Sequence, residues 1–362
     1  MNILIFIIIL LVLVLVHEFG HFFTAKRFGI RVDEFGFGFP PKLFGIKKGE
    51  TEYSINLLPI GGFVKIFGED PNEENTVGPD AARSFVNKPK YKQAIVLFAG
   101  VFANFLLAWL LFSIGFISGL PTSVGSEPKD YKMENVHLVV LSVLPNSPAL
   151  AAGLKTGDKI VYIKSGDAVT DQISPETVKS FVALGKQLDM AYLRGNDPTY
   201  NMIQVIPKDT NGTYAIGISM DQIGTVKLPF FNAFWEGLKL DWSVTEGTVV
   251  GLYTLIVGGI MGKGSFANVT GPVGMVGIVG NAYQFGFVYL FSFAALISVN
   301  LAIINLIPFP ALDGGRLFFL LIEKIKGSRM NPKFANTANM VGFAILIILM
   351  LLVTYHDVVK LF

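Results

Sequence analysis

Residues 3–21 read ILIFIIILLVLVLVHEFGH, an unbroken apolar run from Ile3 to Val16 that ends in His17-Glu18-Phe19-Gly20-His21. On a helix, His17 and His21 stand four residues apart on one face and can share a zinc ion, with Glu18 beside it to act on the metal's water. Two histidines and a carboxylate at the end of a hydrocarbon-length helix are costly without partners, so ionisable groups placed there mark function. A chance HExxH on an ordinary surface helix has no such constraint. At about 1.5 Å per residue His17 lies roughly 24 Å along the helix, toward the inner side of a core about 30 Å thick. The stretch has no basic leader and no small-residue cleavage site, and it runs directly into the motif, so it is expected to stay in the protein rather than be removed as a signal peptide.

Composition agrees with a membrane protein. The chain is 52% hydrophobic and only 15% charged, against about 25% charged in soluble domains. Its formal net charge of +2 gives no nucleic-acid signal. With no cysteine in the sequence, thiolate ligands and disulfides are excluded, and a metal must be held by nitrogen and oxygen.

Three further apolar segments, Ala94–Leu120, Phe285–Ile307 and Ala338–Tyr355, approach or exceed the length of about 20 residues that crosses a bilayer. Four spans leave both termini on one side. The connection between the third and fourth carries Arg316, Lys324, Lys326, Arg329 and Lys333 against Asp313 and Glu323, which marks it as cytoplasmic. Lys26, Arg27 and Arg31 after the first span agree, and the termini are then extracytoplasmic. In residues 229–284, Phe230–Trp242 reads as an interfacial helix, and Val249–Met261 as an apolar piece too short for an easy crossing. One extra span there would move Asp313 across the membrane from His17, so either none of this region crosses or two segments do; it is expected to lie outside, against the membrane.

Zinc needs a third protein ligand. Of four histidines, His137 falls in the polar middle and His356 at the outer end of the last span. The inner end of the third span reads Asn305-Leu-Ile-Pro308-Phe-Pro310-Ala-Leu312-Asp313-Gly314-Gly315-Arg316, and Asp313 is the acid at the right depth. Pro308 and Pro310 break the helix and Gly314-Gly315 permits a sharp turn, which can aim the carboxylate inward. Alone, Asp313 reads equally as a helix cap; its pairing with HExxH favours a ligand.

An HExxH in a first span together with NxxPxPxLDGG in a late one resembles the site-2 protease family of intramembrane zinc metalloproteases, over nearly the whole chain. The resemblance implies that His17, His21 and Asp313 bind Zn2+, that Glu18 is the catalytic base, and that Asn305 holds the substrate backbone or the developing oxyanion. Glu34-Phe-Gly36-Phe-Gly38-Phe39-Pro40 alternates aromatics with glycine, and Tyr53–Ile66 reads as two short strands around a Pro/Gly turn. In the family this region is a membrane-associated β-hairpin whose edge, here Gly61, Gly62, Phe63 and Val64, pairs with the substrate; strand addition replaces the hydrogen bonds a helical substrate gives up on unwinding. Ser147–Ile160 resembles the core of a bacterial PDZ domain, in a single copy.

The expected fold is therefore membrane α-helical, with four transmembrane helices, a zinc site between the first and third, a membrane-associated β-hairpin and one inserted extracytoplasmic PDZ domain of α+β type. The expected boundaries are 1–22 for the first helix with HEFGH, 23–93 for the cytoplasmic-side loop with the hairpin, and 94–120 for the second helix. The PDZ domain takes 121–228 and the extracytoplasmic membrane-associated segment 229–284. The third helix and a cytoplasmic loop take 285–337, and the fourth helix with the C-terminus 338–362. The expected partners are single-span transmembrane protein substrates, anti-sigma factors or remnant signal peptides already trimmed outside, and membrane lipid, with no nucleic acid. The expected location is the inner (cytoplasmic) membrane, with the active site near its cytoplasmic side.

Overall fold

A computed structural model describes residues 2–70, 73–129, 131–195, 197–210, 212–262, 270–284 and 286–359. The first residue of the expected third span, residues 263–269 of the expected extracytoplasmic segment, and the two chain ends lie outside the described residues. In chain order, α1 (Asn2–Arg27) is followed by β1 (Val32–Lys48), β2 (Thr51–Ile66), α2 (Glu73–Val77) and α3 (Lys90–Ser118). Next come β3 (Leu120–Ser123), β4 (Glu134–Val143), α4 (Pro148–Ala151), β5 (Lys159–Ser165), β6 (Ala168–Thr170) and α5 (Pro175–Ala183). They lead to β7 (Leu188–Leu193), β8 (Asn201–Val205), β9 (Lys208–Thr210), β10 (Thr213–Ala215) and β11 (Ile218–Val226). The chain continues as α6 (Phe230–Ile260), α7 (Pro272–Gln284), α8 (Phe287–Leu306), α9 (Asp313–Lys326) and α10 (Pro332–Val359). These elements form two compact units, one of Met1–Leu111, Gly237–Gly280 and Phe293–Phe362, the other of Phe112–Glu236 and Asn281–Ser292.

Among the described residues four helices, α1, α3, α8 and α10, are long and apolar enough to cross a membrane. Ile and Val are mediocre helix formers, yet hydrocarbon leaves a single segment no other way to pair its backbone. α1 runs on to Arg27, past the boundary at residue 22 expected from hydropathy, because nothing in residues 23–27 breaks it. It stops in a Schellman turn: Gly29 adopts φ 65°, its N–H donates to the Lys26 carbonyl, and the N–H of Ile30 donates to that of Ala25. Ala25 and Ile30 are buried with Val32, Ile66, Phe85, Val96, Leu97 and Leu320. That cluster ties the end of α1 to β1, β2, α3 and α9.

α3 lies close against α1 because the contact is built from small residues. A Cβ at Gly20 would collide with the carbonyl of Ala99, and one at Gly100 with the ring of His21. The histidine-bearing face of α1 therefore rests directly on the backbone of α3.

The hairpin differs from the expected pair of short strands around Pro59–Gly62. β1 and β2 are 17 and 16 residues long, and the turn between them falls at Gly49-Glu50, with Lys48 opposite Thr51 and Gly49 at φ 66°. The register is interrupted, so Glu34–Phe37 has Glu52–Ile55 on one side and Gly62–Lys65 on the other. Among the described residues the segment Gly62–Lys65 has a strand partner on one side only. Phe22 of α1 holds the sheet by ring contacts to Phe35 and Tyr53, at centroid distances of 5.3 Å and 6.1 Å.

Two more expectations change. The interfacial and short apolar pieces predicted at 230–242 and 249–261 are one continuous helix, α6, of 31 residues, with no proline in residues 243–248 to interrupt it. The Thr248 hydroxyl donates to Asn300 Oδ1 on α8 at 3.0 Å. The segment after the third span, expected as a loop, is the amphipathic helix α9, closed by Gly327 in the left-handed region.

In the second unit β3, β11, β4, β5, β7 and β8 pair in that order, with β6 added on β5, to give a seven-stranded sheet. Leu138, Val140, Ile160, Ile163, Val178, Leu188 and Met190 make its core. Ser147 caps α4, its hydroxyl accepting from the N–H of Leu150 at 3.2 Å. Buried Asp158 takes two hydrogen bonds from Arg194, both at 2.7 Å, and one from the N–H of Lys155 at 2.8 Å.

Candidate metal centre

His17 and His21 are buried, each 7% exposed, and their rings meet edge to face at a centroid distance of 4.8 Å. The third member arrives from the far end of the chain. α8 stops at Leu306, Ala311 takes φ 76°, and Asp313 opens α9, where the helix dipole favours a carboxylate. The glycines after it make the turn possible. A Cβ at Gly314 would strike the carbonyls of Leu306 and Ile307, and one at Gly315 that of Phe309. On the other flank the N–H of Ala311 donates to Asn339 Oδ1 at 3.2 Å, and Gly342 of α10 lies against the carbonyl of Pro310. Asp313 is therefore aimed by backbone packing, and it belongs to the helix after the third span rather than to the span itself.

Asp313 Oδ2 lies 3.0 Å from His17 Nε2 and 3.2 Å from His21 Nε2, and the two Nε2 atoms are 3.2 Å apart. Among the described residues this is the one group of three or more His or acidic residues able to share an ion; His137 and His356 take no part. Zinc bonds of about 2.0–2.1 Å at tetrahedral angles place ligand atoms about 3.3 Å apart, close to these spacings. Asp313 Oδ2 is buried without a hydrogen-bond donor, and His21 is turned by Nδ1, 2.8 Å from the carbonyl of Val96. Donating there leaves its Nε2 lone pair facing the carboxylate. The two nitrogens and one oxygen fit zinc.

Glu18 lines the same cavity, about 240 Å³ in volume, together with Phe63, Val64, Ile66, Glu69, Leu97, Ala311 and Arg316. The backbone N–H of Val64 faces the Glu18 carboxylate, and Gly62 packs beside Leu15 and Glu18. Phe63 and Val64 reach the site. Gly61, at φ 91° against the ring of Phe39, does not line the cavity, and neither does Asn305 in the last turn of α8. Sequence reasoning missed Arg316, counted there only as a topology charge; it is ion-paired with Glu69 at the cavity. It also missed Asn104, 0% exposed, whose side chain approaches His17 Nδ1 at 3.4 Å. A lone amide inside the apolar run Ala94–Leu120 is the signal that marks it.

Membrane-length helices and a His, His, Asp cluster beside a glutamate define a zinc metalloprotease of the membrane. The profile of Peptidase family M50 matches residues 5–349, and the chain belongs to that family, the site-2 proteases. It is similar to a Clostridium perfringens protein, 36% identical over 349 residues, covering 96% of this chain and 95% of that one. It is also similar to the regulator of sigma-E protease RseP of Escherichia coli, 31% identical over 451 residues and 97% of each chain. The zinc metalloprotease RasP of Oceanobacillus iheyensis is 29% identical over 443 residues, 99% of this chain and 98% of that one.

Proposed function

We propose that this zinc metalloprotease hydrolyses peptide bonds within the transmembrane segments of single-span proteins, anti-sigma factors or remnant signal peptides, after their extracytoplasmic parts have been trimmed. One observation carries the reading. The strand segment Gly62–Lys65, paired on one side only among the described residues, runs past Glu18, and its Phe63 and Val64 line the cavity of His17, His21 and Asp313. A substrate unwound from its helix loses its internal hydrogen bonds, and an extended segment beside a strand edge recovers them.

His17, His21 and Asp313 hold the zinc, which when bound supplies a Lewis acid that makes water a nucleophile near neutral pH and polarises a carbonyl. Glu18 accepts the proton of the attacking water and delivers it to the leaving nitrogen. Val64 offers its backbone N–H on the same side, and Gly62 removes the side chain that would hold the substrate away. Asn305 contacts the substrate backbone from the end of α8. The polar cavity around Glu69 and Arg316 admits water from the cytoplasmic side.

The sheet unit supports a PDZ domain held outside the inner membrane, with both termini on that side. The membrane-associated segment around α6 lies there too. We assign the domain to size filtering of substrates. The alignment to RseP spans 451 positions against 362 residues here, consistent with a single such module in this chain.

The test is cleavage of a single-span substrate by wild type and by Glu18→Gln, with zinc measured in both. The variant should lose about 10²-fold or more in rate and keep its zinc, because no ligand is touched. Full activity in the variant removes the mechanism.

A further inference from the structure

We infer that Asn104 of α3 is a positioning residue for the metal centre: its side-chain oxygen accepts the Nδ1–H of His17, and so fixes which ring nitrogen faces the zinc. The inference rests on the reading above that His17 is a ligand. The Asn104 amide nitrogen lies 3.4 Å from His17 Nδ1, while its Oδ1 is buried with no partner. Amide oxygen and nitrogen are distinguished only by their hydrogen bonds. With the nitrogen toward the ring, His17 must carry its proton on Nε2, the atom that meets His21 and Asp313 and has to be bare to bind a metal. Rotating the amide by half a turn puts the orphaned oxygen on His17 Nδ1. It also moves the NH2 group to the side where no donor reaches Oδ1.

The two histidines are then oriented alike, each by an oxygen of α3. His21 donates Nδ1–H to the carbonyl of Val96 at 2.8 Å, and His17 donates to Asn104, two turns further along. Metal-binding histidines characteristically donate their second N–H to such an oxygen, which sets the tautomer and ring angle. The backbone that carries the acceptor is itself held: the Ser298 hydroxyl on α8, fully buried, donates to the main-chain carbonyl of Asn104 at 2.8 Å. A chain of contacts thus runs from the third span through the second to a ligand on the first.

The experiment uses the full-length protein in detergent and reads zinc affinity by chelator competition. Asn104→Ala should weaken zinc by about 10–100-fold. Asn104→Asp, which retains only acceptor atoms, should restore affinity to within a few-fold of wild type. Wild-type affinity in the alanine variant overturns the inference, and so does an equal loss in both variants, because a donating amide is not rescued by a carboxylate. If neither variant folds, 15N-histidine spectra of the metal-free wild type decide: a proton on Nδ1 of His17 supports the assignment, and one on Nε2 overturns it. His17→Ala separates this from the site reading, since unchanged zinc affinity in that variant moves the ligand itself.

Discussion

The metal centre is made by two segments of opposite character. Residues 17–21 are regular helix, and the two histidines face one way because of the 3.6-residue period alone. Residues 305–316 are irregular: a helix end, a left-handed Ala311, and two glycines that let α9 start against the carbonyls of the turn before it. In the first segment the chemistry is encoded by local spacing. In the second it is encoded by what the backbone is allowed to touch. A sequence displays the former directly and the latter only as a suggestive density of proline and glycine.

Removing a ligand from either segment should have the largest effect. Asp313→Ala is expected to lose both zinc and cleavage, as His21→Ala does, since two ligands hold the ion weakly. Zinc content at the wild-type level in purified Asp313→Ala would move the third ligand elsewhere and dissolve the comparison. The next effect sharpens it. Gly314→Ala leaves every ligand in place but drives a methyl into the Leu306 and Ile307 carbonyls; overpacking of this kind costs about 1–3 kcal/mol, and the strain falls on the turn that aims Asp313. Chelator competition should show zinc about 5- to 150-fold weaker, whereas Gly277→Ala, where a Cβ meets nothing within 4 Å, should bind normally.

A smaller effect is expected from the strand. Val64→Pro deletes the N–H that faces Glu18, so cleavage should slow by about 10-fold, the equivalent of one lost hydrogen bond to a charged group, at unchanged zinc. Unimpaired turnover would show that neither Glu18 nor the substrate uses that donor. The smallest effect on the chemistry should come from replacing residues 121–228 by a short linker. Trimmed substrates should be cut at nearly the wild-type rate, while substrates with a bulky extracytoplasmic domain become cleavable. Slower cutting of the short substrates, with no gain for the long ones, would mean that the domain captures a terminus instead.

The four spans were legible because hydropathy needs no tertiary information, although α3 and α10 begin earlier than the apolar runs at Ala94 and Ala338, since hydropathy marks a hydrocarbon slab while the helix continues into polar turns. That His17, Glu18, His21 and Asp313 come together at one cavity was legible from residue type and position in the apolar runs. The strand pairing was not: Gly49-Glu50 carries no stronger turn signal than Pro59–Gly62, and the choice between them depends on Phe22 packing against Phe35 and Tyr53. Helix α6 was misread because its polar middle looked like a boundary, yet a helix with the Thr248–Asn300 contact tolerates it. Asn104 shows in the sequence as a lone amide of the apolar run Ala94–Leu120, but its partner does not, because the ring it faces lies 87 residues away in the chain.

The distance in the chain between the two halves of the metal centre also has a consequence in time. Translation at about 5–20 residues per second delivers His21 to the membrane roughly 15–60 s before Asp313. Throughout that interval the nascent protein has Glu18 and two histidines but lacks the third member of the His, His, Asp cluster, so on the proposed ligand set it stays inert until Asp313 has been made.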